Sequence, residues 1–391
     1  MRLTSIFIAT AITAAMLLVA AAPAGARAFD RLWVFGDSTV DTGWYNFLPS
    51  GESQFDQYLS SYNLARPPNV PPTYGMGKAT SNPGPISVEV LAHLLDTDVL
   101  PADQVVFPVI LPRVMADLAR VAPEFRLPPG LRLFFTGTNY ATGGARNHDV
   151  NTPDIGLFPN AVPTETQIAN YLDQYEADGQ SLYVISSGGN DVSFALNFAE
   201  NPTAYVTGVA DSLATAIATL QQRGARYIVV TNLPESFGTT DQKNLRQLYN
   251  TELMSQLTAL GVSYAWADMN NLRTQIVTNP TAFGIAHTTN ALADRACTTP
   301  DAPSSGWAYL CSPTSPVSKP ISETFAEEAL FSDNEHWATG GHRALGTYYF
   351  CLAVRTWPQL FSPDRGNVIP PVVLLPPPCR GGIQSITAPP Q

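Results

Sequence analysis

The chain has 391 residues, of which 45% are hydrophobic and only 14% are charged, and its formal net charge at pH 7 is −11. That much apolar sequence is enough to form a large core, in one domain or two. No basic cluster is present, so neither nucleic acid nor an anionic membrane surface is an expected partner.

The first residues have the features of a secretory signal peptide. Met1-Arg2 gives a charged start, an apolar stretch runs from Ile6 to about Ala22, and small residues follow up to Ala28. We expect cleavage near Ala28, which yields a secreted (extracellular or periplasmic) mature chain. The alternative is an uncleaved membrane anchor. No other stretch is long and apolar enough to form a stable membrane span.

Four cysteines fit an oxidising compartment: Cys297, Cys311, Cys351 and Cys379. Four cysteines allow three pairings, and proximity along the chain favours Cys297–Cys311 and Cys351–Cys379. There is no C-x-x-C spacing, so a structural zinc site is not expected.

Predicted strands and helices alternate along the chain. The strands are predicted at Leu32–Phe35, Leu131–Phe135, Ser181–Ser187, Tyr227–Thr231 and Val262–Ala267. The helices are predicted at Pro85–Leu95, Thr164–Asp178, Pro202–Arg223, Gln242–Leu260 and His336–Val354. In the second helix, Thr164 as N-cap with Gln167 three residues later matches the capping box. This alternation predicts an α/β fold, a three-layer α/β/α sandwich with a central five-stranded parallel sheet.

Two irregular segments, 44–82 and 96–130, interrupt this pattern, and the second includes a short helical piece around Met115 to Arg120. Their Pro, Gly and aromatic content predicts surface excursions near the ligand-binding edge. The chain becomes rich in proline beyond residue 366. We therefore expect a signal peptide over 1–28, one domain over 29–366 and a C-terminal tail over 367–391.

A candidate nucleophile follows the first predicted strand. Gly36-Asp37-Ser38 ends that strand abruptly, which displays the Ser38 hydroxyl at the carboxyl edge of the sheet, where ligands bind in open α/β folds. Taken alone, the tripeptide is better explained as a turn with a capping serine.

A candidate general base lies near the other end of the chain. Asp333 and His336 are three residues apart, so one local turn can place the carboxylate beside the imidazole. Taken alone, a D-x-x-H pattern is commonly an accident at the start of a helix.

Candidate oxyanion donors follow two other predicted strands. Gly143-Gly144 and Gly189-Asn190 offer backbone N–H groups and a side-chain amide at strand ends. Glycine and asparagine are also the ordinary residues of β-turns, so turn chemistry is the alternative.

Together these blocks resemble the SGNH subgroup of the GDSL esterase/lipase family, over about Leu32 to Tyr349. The resemblance rests on F-G-D-S-T-V-D-T-G, G-T-N-Y-A-T-G-G-A, G-G-N-D and D-N-E-H, in that order. It implies an SGNH hydrolase-like, flavodoxin-like fold for the 29–366 domain. It also implies a triad of Ser38, His336 and Asp333, and an oxyanion hole of the Ser38 and Gly143 N–H groups with the Asn190 amide.

The chain departs from the family pattern at two positions. Trp337 replaces the proline that usually follows the family's histidine, and Thr39 replaces the leucine after the serine. His342 is the one rival to His336 as the base. A metal cluster of Asp333, Glu335, His336 and His342 is conceivable, but the triad explains these residues better. No metal and no cofactor are expected.

We therefore expect a secreted serine esterase or lipase that acts on carboxylic esters, with lipid or lysophospholipid acyl esters as the favoured substrates. Alternatives on the same site are deacetylation of glycans and acyl transfer to another alcohol. A non-catalytic secreted binding module is the alternative of another class. Small-molecule or lipid esters are the expected partners, and the sequence leaves the oligomeric state open.

Overall fold

A computed structural model describes residues 27–43, 77–102, 137–149, 161–298, 307–313, 315, 318–361 and 379. Several sequence predictions fall outside these ranges. They include the strand Leu131–Phe135, the helical piece at Met115 to Arg120, residues 1–26 of the predicted signal peptide, most of the two excursions, and the tail except Cys379.

The described strands form one parallel sheet with the order β1-β2-β3-β4. Its members are β1 (Leu32–Gly36), β2 (Leu182–Ser186), β3 (Tyr227–Thr231) and β4 (Ala265–Ala267). On the other side of β1, Asn139 makes a parallel bridge with Val34, so the chain before Gly143 runs alongside β1. The described sheet thus has four strands, where the sequence predicted five.

Strand β4 begins at Ala265, three residues later than predicted, and the end of the preceding helix accounts for the first of these residues. The N–H groups of Gly261 and Val262 donate to the carbonyls of Thr258 and Leu257, as expected where a helix ends at a left-handed glycine. The first predicted strand residue therefore belongs to the helix end.

Side chains of the strands alternate between two apolar cores. Leu32 and Val34 of β1 point into one cluster, and Trp33 and Phe35 point into the other. The first cluster includes residues of the helices Ser87–Leu94, Met269–Thr278 and Thr339–Thr356, and the second includes residues of the helices Thr164–Gln174, Gly189–Phe198, Pro202–Gln222 and Thr240–Ala259. Helices therefore cover both faces of the sheet, as the sequence alternation predicts.

The helices, numbered in chain order, are α1 (Ser87–Leu94), α2 (Thr164–Gln174), α3 (Gly189–Phe198), α4 (Pro202–Gln222), α5 (Thr240–Ala259), α6 (Met269–Thr278), α7 (Trp307–Leu310), α8 (Glu323–Glu328) and α9 (Thr339–Thr356). Short 3₁₀ turns lie at Pro280–Phe283, Leu292–Asp294 and Pro358–Phe361. Over the described residues, no helix combines the length and apolarity that crossing a membrane requires.

The capping box predicted at the start of α2 is wrong. Thr164 is the first helical residue, and the N-cap is Pro163, which makes no side-chain cap. Gln167 instead binds the backbone of the Gly36 turn: its Oε1 accepts the Gly36 N–H at 2.7 Å and its Nε2 donates to the Gly36 carbonyl at 2.9 Å. The amide of Gln167 thereby satisfies both the buried N–H and the buried C=O of Gly36, whereas in a capping box it would satisfy only one N–H at the helix start.

Helix α9 begins at Thr339, three residues later than predicted. The N–H groups of Glu335 and His336 donate to Asp333 Oδ1, at 2.9 and 2.7 Å, so this segment is a turn closed by a side chain. The predicted local turn between Asp333 and His336 is thus present, but it precedes the helix.

Both cysteine pairs favoured by proximity are present in the structure: Cys297–Cys311 and Cys351–Cys379. The second attaches one residue of the proline-rich tail to α9. Arg355 of the same helix donates to the Cys379 carbonyl at 2.9 Å.

The Gln167 contact predicts an asymmetry between two glutamines of α2. Gln167→Leu removes the partner of the buried Gly36 N–H, so we expect the free energy of unfolding to fall by about 1–3 kcal/mol in urea titrations. Gln174→Leu is the matched control, because Gln174 is exposed and bonds only within its helix. Its effect should stay within about 0.5 kcal/mol. Equal losses in the two variants would contradict the assignment.

Candidate active site

Three chain segments meet at the carboxyl edge of the sheet. Ser38 follows β1 and is partly exposed, while Asn190 lies in the first turn of α3, directly after β2. The Thr142 N–H donates to the Gly36 carbonyl at 3.0 Å, which brings the Gly143 segment to the end of β1. The strand ends therefore gather the predicted nucleophile and both predicted oxyanion residues.

The Gly36 turn aims the chain away from the sheet. Gly36 has φ +144°, and a Cβ at this position would collide with the Ser186 carbonyl oxygen. The Asp37 N–H donates to that same carbonyl at 3.0 Å, and Asp37 Oδ1 accepts the Thr39 N–H at 3.0 Å. Glycine is required here for both conformation and space, and Asp37 closes the turn that displays Ser38.

The Asp333 carboxylate orients His336. His336 Nδ1 lies 2.9 Å from Asp333 Oδ2, and Asp333 is completely buried. The Ala308 N–H also donates to Oδ2, at 3.1 Å. With the two backbone donors to Oδ1, the carboxylate has at least four hydrogen-bond donors among the described residues, which compensate the burial of its charge.

These contacts separate the pKa values of the pair. Burial alone raises the pKa of Asp333, but the His336 charge and the donated hydrogen bonds lower it to about 2. Burial lowers the pKa of His336, whereas Asp333, Glu335 and Asp37 raise it to about 9. The Asp333 carboxylate therefore stays ionised. His336 binds a proton more strongly than a free imidazole does, and the charge of Asp37, in the turn that displays Ser38, contributes to this.

A backbone carbonyl from the segment that follows Gly143 holds the Asn190 side-chain amide. Its Nδ2 donates to the Ala145 carbonyl at 3.0 Å, and an amide nitrogen carries a second hydrogen. The neighbouring Asp191 carboxylate accepts the Asn147 N–H at 3.0 and 3.2 Å. The start of α3 is therefore tied to the segment that carries Gly143.

The Gly143 N–H has a protein partner. It donates to Asp41 Oδ2 at 2.8 Å, and Asp41 is completely buried. Asp41 Oδ1 accepts the Gly43 N–H at 2.8 Å. An oxyanion bound at Gly143 would share this N–H with the Asp41 carboxylate, a competition that the sequence prediction did not anticipate.

His342, the rival base, is a buried structural residue. Its Nδ1 accepts the Ser87 N–H at 3.3 Å and its Nε2 faces the Ala79 carbonyl at 3.2 Å. Burial lowers its pKa to about 3. Both ring nitrogens are used by the backbone, so the ring is neutral and neither nitrogen is available to accept a proton from serine.

From the sequence, no role at the site is predicted for three residues that lie beside it: Gln167, Asp41 and Tyr309. Tyr309 lies 5.8 Å, ring centroid to centroid, from His336. Asp41 belongs to the first motif block, but nothing local assigns its carboxylate to a residue 102 positions away. These contacts depend on the tertiary fold.

The sequence of residues 32–348 matches the GDSL-like Lipase/Acylhydrolase family. The chain belongs to this family. Membership makes it a carboxylic ester hydrolase of the GDSL esterase/acylhydrolase type.

Three relatives of this GDSL hydrolase are about a quarter identical to it over the parts that align. A GDSL esterase/lipase of Arabidopsis thaliana is 26% identical over 72% of this chain and 78% of its own length. Acetylajmalan esterase 2 of Rauvolfia serpentina is 26% identical over 52% of each chain. An uncharacterized protein from the trpE–trpG intergenic region of Pseudomonas putida is 24% identical over 59% of this chain and 40% of its own.

The raised pKa of His336 predicts the pH dependence of turnover. The sequence predicts that His336 is the general base, which must be neutral to act, so kcat/KM should rise with pH, with a midpoint above 6.5 and near 9. Glu335→Gln removes one of the charges that raise this pKa and should lower the midpoint. Glu323→Gln, on α8, is the matched control and should leave it unchanged. A midpoint at or below 6.5, or the same midpoint in Glu335→Gln, would contradict the assignment.

Proposed function

We propose that this GDSL hydrolase is a secreted serine esterase that cleaves acyl esters of lipids through an acyl-enzyme. The observation that carries the proposal is the hydrogen bond between His336 and the buried Asp333 carboxylate, near the turn that displays Ser38. The charge of Asp37, the residue before Ser38, raises the pKa of His336, and this effect supports the proximity. The cysteine pairs support an oxidising compartment.

In the proposed acylation step, Ser38 Oγ attacks the ester carbonyl carbon while His336 Nε2 takes the hydroxyl proton. Asp333 keeps Nδ1 protonated and stabilises the imidazolium. The tetrahedral intermediate then collapses, the C–O bond to the alcohol breaks, and His336 returns the proton to the departing oxygen. The products of this step are the free alcohol and an acyl ester on Ser38.

Deacylation repeats the sequence with water. His336 takes a proton from water, the hydroxide attacks the acyl carbonyl carbon, and the bond to Ser38 Oγ breaks. The proton returns to Ser38, and the carboxylic acid is released. In both steps the Ser38 N–H and the Asn190 amide stabilise the oxyanion, with the Gly143 N–H as a third donor if it is shared with Asp41.

A second candidate substrate class is acetyl esters. It is favoured by the similarity to acetylajmalan esterase 2. Esters of one alcohol with acetyl, butyryl and palmitoyl groups separate the two classes by their relative kcat/KM. A rise toward palmitate supports lipid substrates, and a fall supports acetyl esters.

The triad and the oxyanion hole predict two different losses. Ser38→Ala should abolish turnover of p-nitrophenyl esters, because no acyl-enzyme can form. Asn190→Ala should lower kcat about 10²–10³-fold, because one oxyanion donor is lost. Asn197→Ala is the matched control, since Asn197 lies on the same helix, is exposed, and bonds only to Ser193.

Either of two results would contradict the proposal. Wild-type turnover in Ser38→Ala would exclude this nucleophile, and a near-wild-type kcat in Asn190→Ala would remove Asn190 from the oxyanion hole. A wild-type protein that turns over none of these esters would favour a non-catalytic binding role.

A further inference from the structure

Tyr309 lies between the two halves of the proposed site. Its side chain is completely buried, and its ring meets the His336 imidazole edge-on, at 5.8 Å between centroids and 80° between planes. On the other side its hydroxyl end covers Gly143, where an added Cβ would overlap Oη and lie 2.6 Å from Cζ. One aromatic ring therefore spans from the proposed base to the proposed oxyanion glycine.

The contact with Tyr309 explains why residue 143 must be glycine. Gly144 has φ +79°, but Gly143 is not among the residues with positive φ. The backbone at Gly143 would therefore accept alanine. Space is the constraint, and within 4 Å the three nearest atoms to such a Cβ all belong to Tyr309.

Several hydrogen bonds hold the α7 segment in place. The Ala308 N–H donates to Asp333, and the Tyr309 carbonyl accepts the Gly77 N–H at 2.9 Å. Asn82 Nδ2 donates to the Ala308 carbonyl at 3.0 Å, and the Asn82 N–H donates to the Cys311 carbonyl at 3.0 Å. The position of Tyr309 is thus coupled to the Asp333 carboxylate.

The Cys297–Cys311 disulfide adds a covalent link to the same region. Cys311 directly follows α7, and the Cys297 N–H donates to the Ser332 carbonyl at 3.2 Å, next to Asp333. Both cysteines are buried. The disulfide therefore joins the segment that carries Tyr309 to Cys297, whose N–H is hydrogen-bonded to the residue before Asp333.

We propose that Tyr309 is a positioning residue, which sets the separation between the Gly143 backbone and the His336 imidazole and is held in place by the Cys297–Cys311 disulfide. This inference rests on the proposed function of Ser38, His336 and Gly143. A ring that contacts both groups keeps the proposed base and the proposed oxyanion donors at fixed relative positions while the ester is attacked. Displacement by about 1 Å at such a contact can cost about 10²-fold in rate.

A double-mutant cycle tests this role. Gly143→Ala should push the ring toward His336 and lower kcat about 100-fold, with little change in KM. Tyr309→Ala alone should lower kcat less, about 10-fold, because the ring is lost but no group is displaced toward His336. In the double variant the new methyl group meets no ring, so kcat should recover to the level of Tyr309→Ala, a strong departure from additivity.

Two further variants serve as controls. Tyr309→Phe keeps the ring between the two groups and should retain most of the wild-type kcat, whereas Tyr309→Phe with Gly143→Ala should remain impaired because Cζ still collides. Gly208→Ala in α4 has no neighbouring atom within 4 Å of the new Cβ and should leave kcat unchanged. Thermal unfolding of each variant separates a loss of folded protein from a loss of positioning.

The outcomes distinguish this inference from the proposed function. Additive effects in the cycle, or a fully active Gly143→Ala, overturn the positioning role even if Ser38→Ala is inactive. If Ser38→Ala keeps wild-type turnover, the proposed function fails, and the Hε1 chemical shift of His336 then decides. A shift in Tyr309→Ala that matches wild type overturns the contact itself, and a changed shift upholds it.

Discussion

The site depends on keeping one buried carboxylate ionised. Asp333 is completely buried, and an unpaired charge in that position would be strongly unfavourable. Among the described residues, four donors compensate this cost: the His336 imidazole and the N–H groups of Glu335, His336 and Ala308. Three of them come from residues that closely follow Asp333, so a single turn supplies most of the compensation. The fourth comes from α7, which makes the geometry of the pair depend on a distant segment.

A second constraint is the close approach of three backbones at the end of β1. Gly36 pairs with Ser186 across the sheet, accepts the Thr142 N–H, and is held by the Gln167 side chain. No residue with a Cβ fits there, which is why a glycine precedes the proposed nucleophile turn. The parallel sheet thus sets the relative positions of Ser38, Asn190 and Gly143, and the Asp333 turn positions His336, the proposed base. The candidate site residues therefore lie at the carboxyl edge of the sheet, where ligands bind in other open α/β folds.

Much of this architecture can be predicted from the sequence. The short apolar run Leu32–Phe35 indicates a buried strand, and the D-x-x-H spacing indicates a local turn, because both signals involve neighbouring residues. The remaining contacts are non-local. Gln167 matches a capping box in the sequence, yet its side-chain amide bonds to the buried Gly36 backbone instead. Tyr309 contacts Gly143 from a distant segment without any periodic pattern. Only the folded chain shows these partners, since propensity and spacing carry no information about them.

The most direct test of the central claim is covalent labelling of the wild-type protein with a fluorophosphonate, followed by intact mass measurement and peptide mapping. An activated serine displaces fluoride and retains the phosphonate, whereas ordinary serines do not react. We predict one adduct per chain, on Ser38, which forms much more slowly in His336→Ala and faster as the pH rises toward 9. An adduct on another residue, or labelling of Ser38 that is equally fast in His336→Ala, would contradict this assignment.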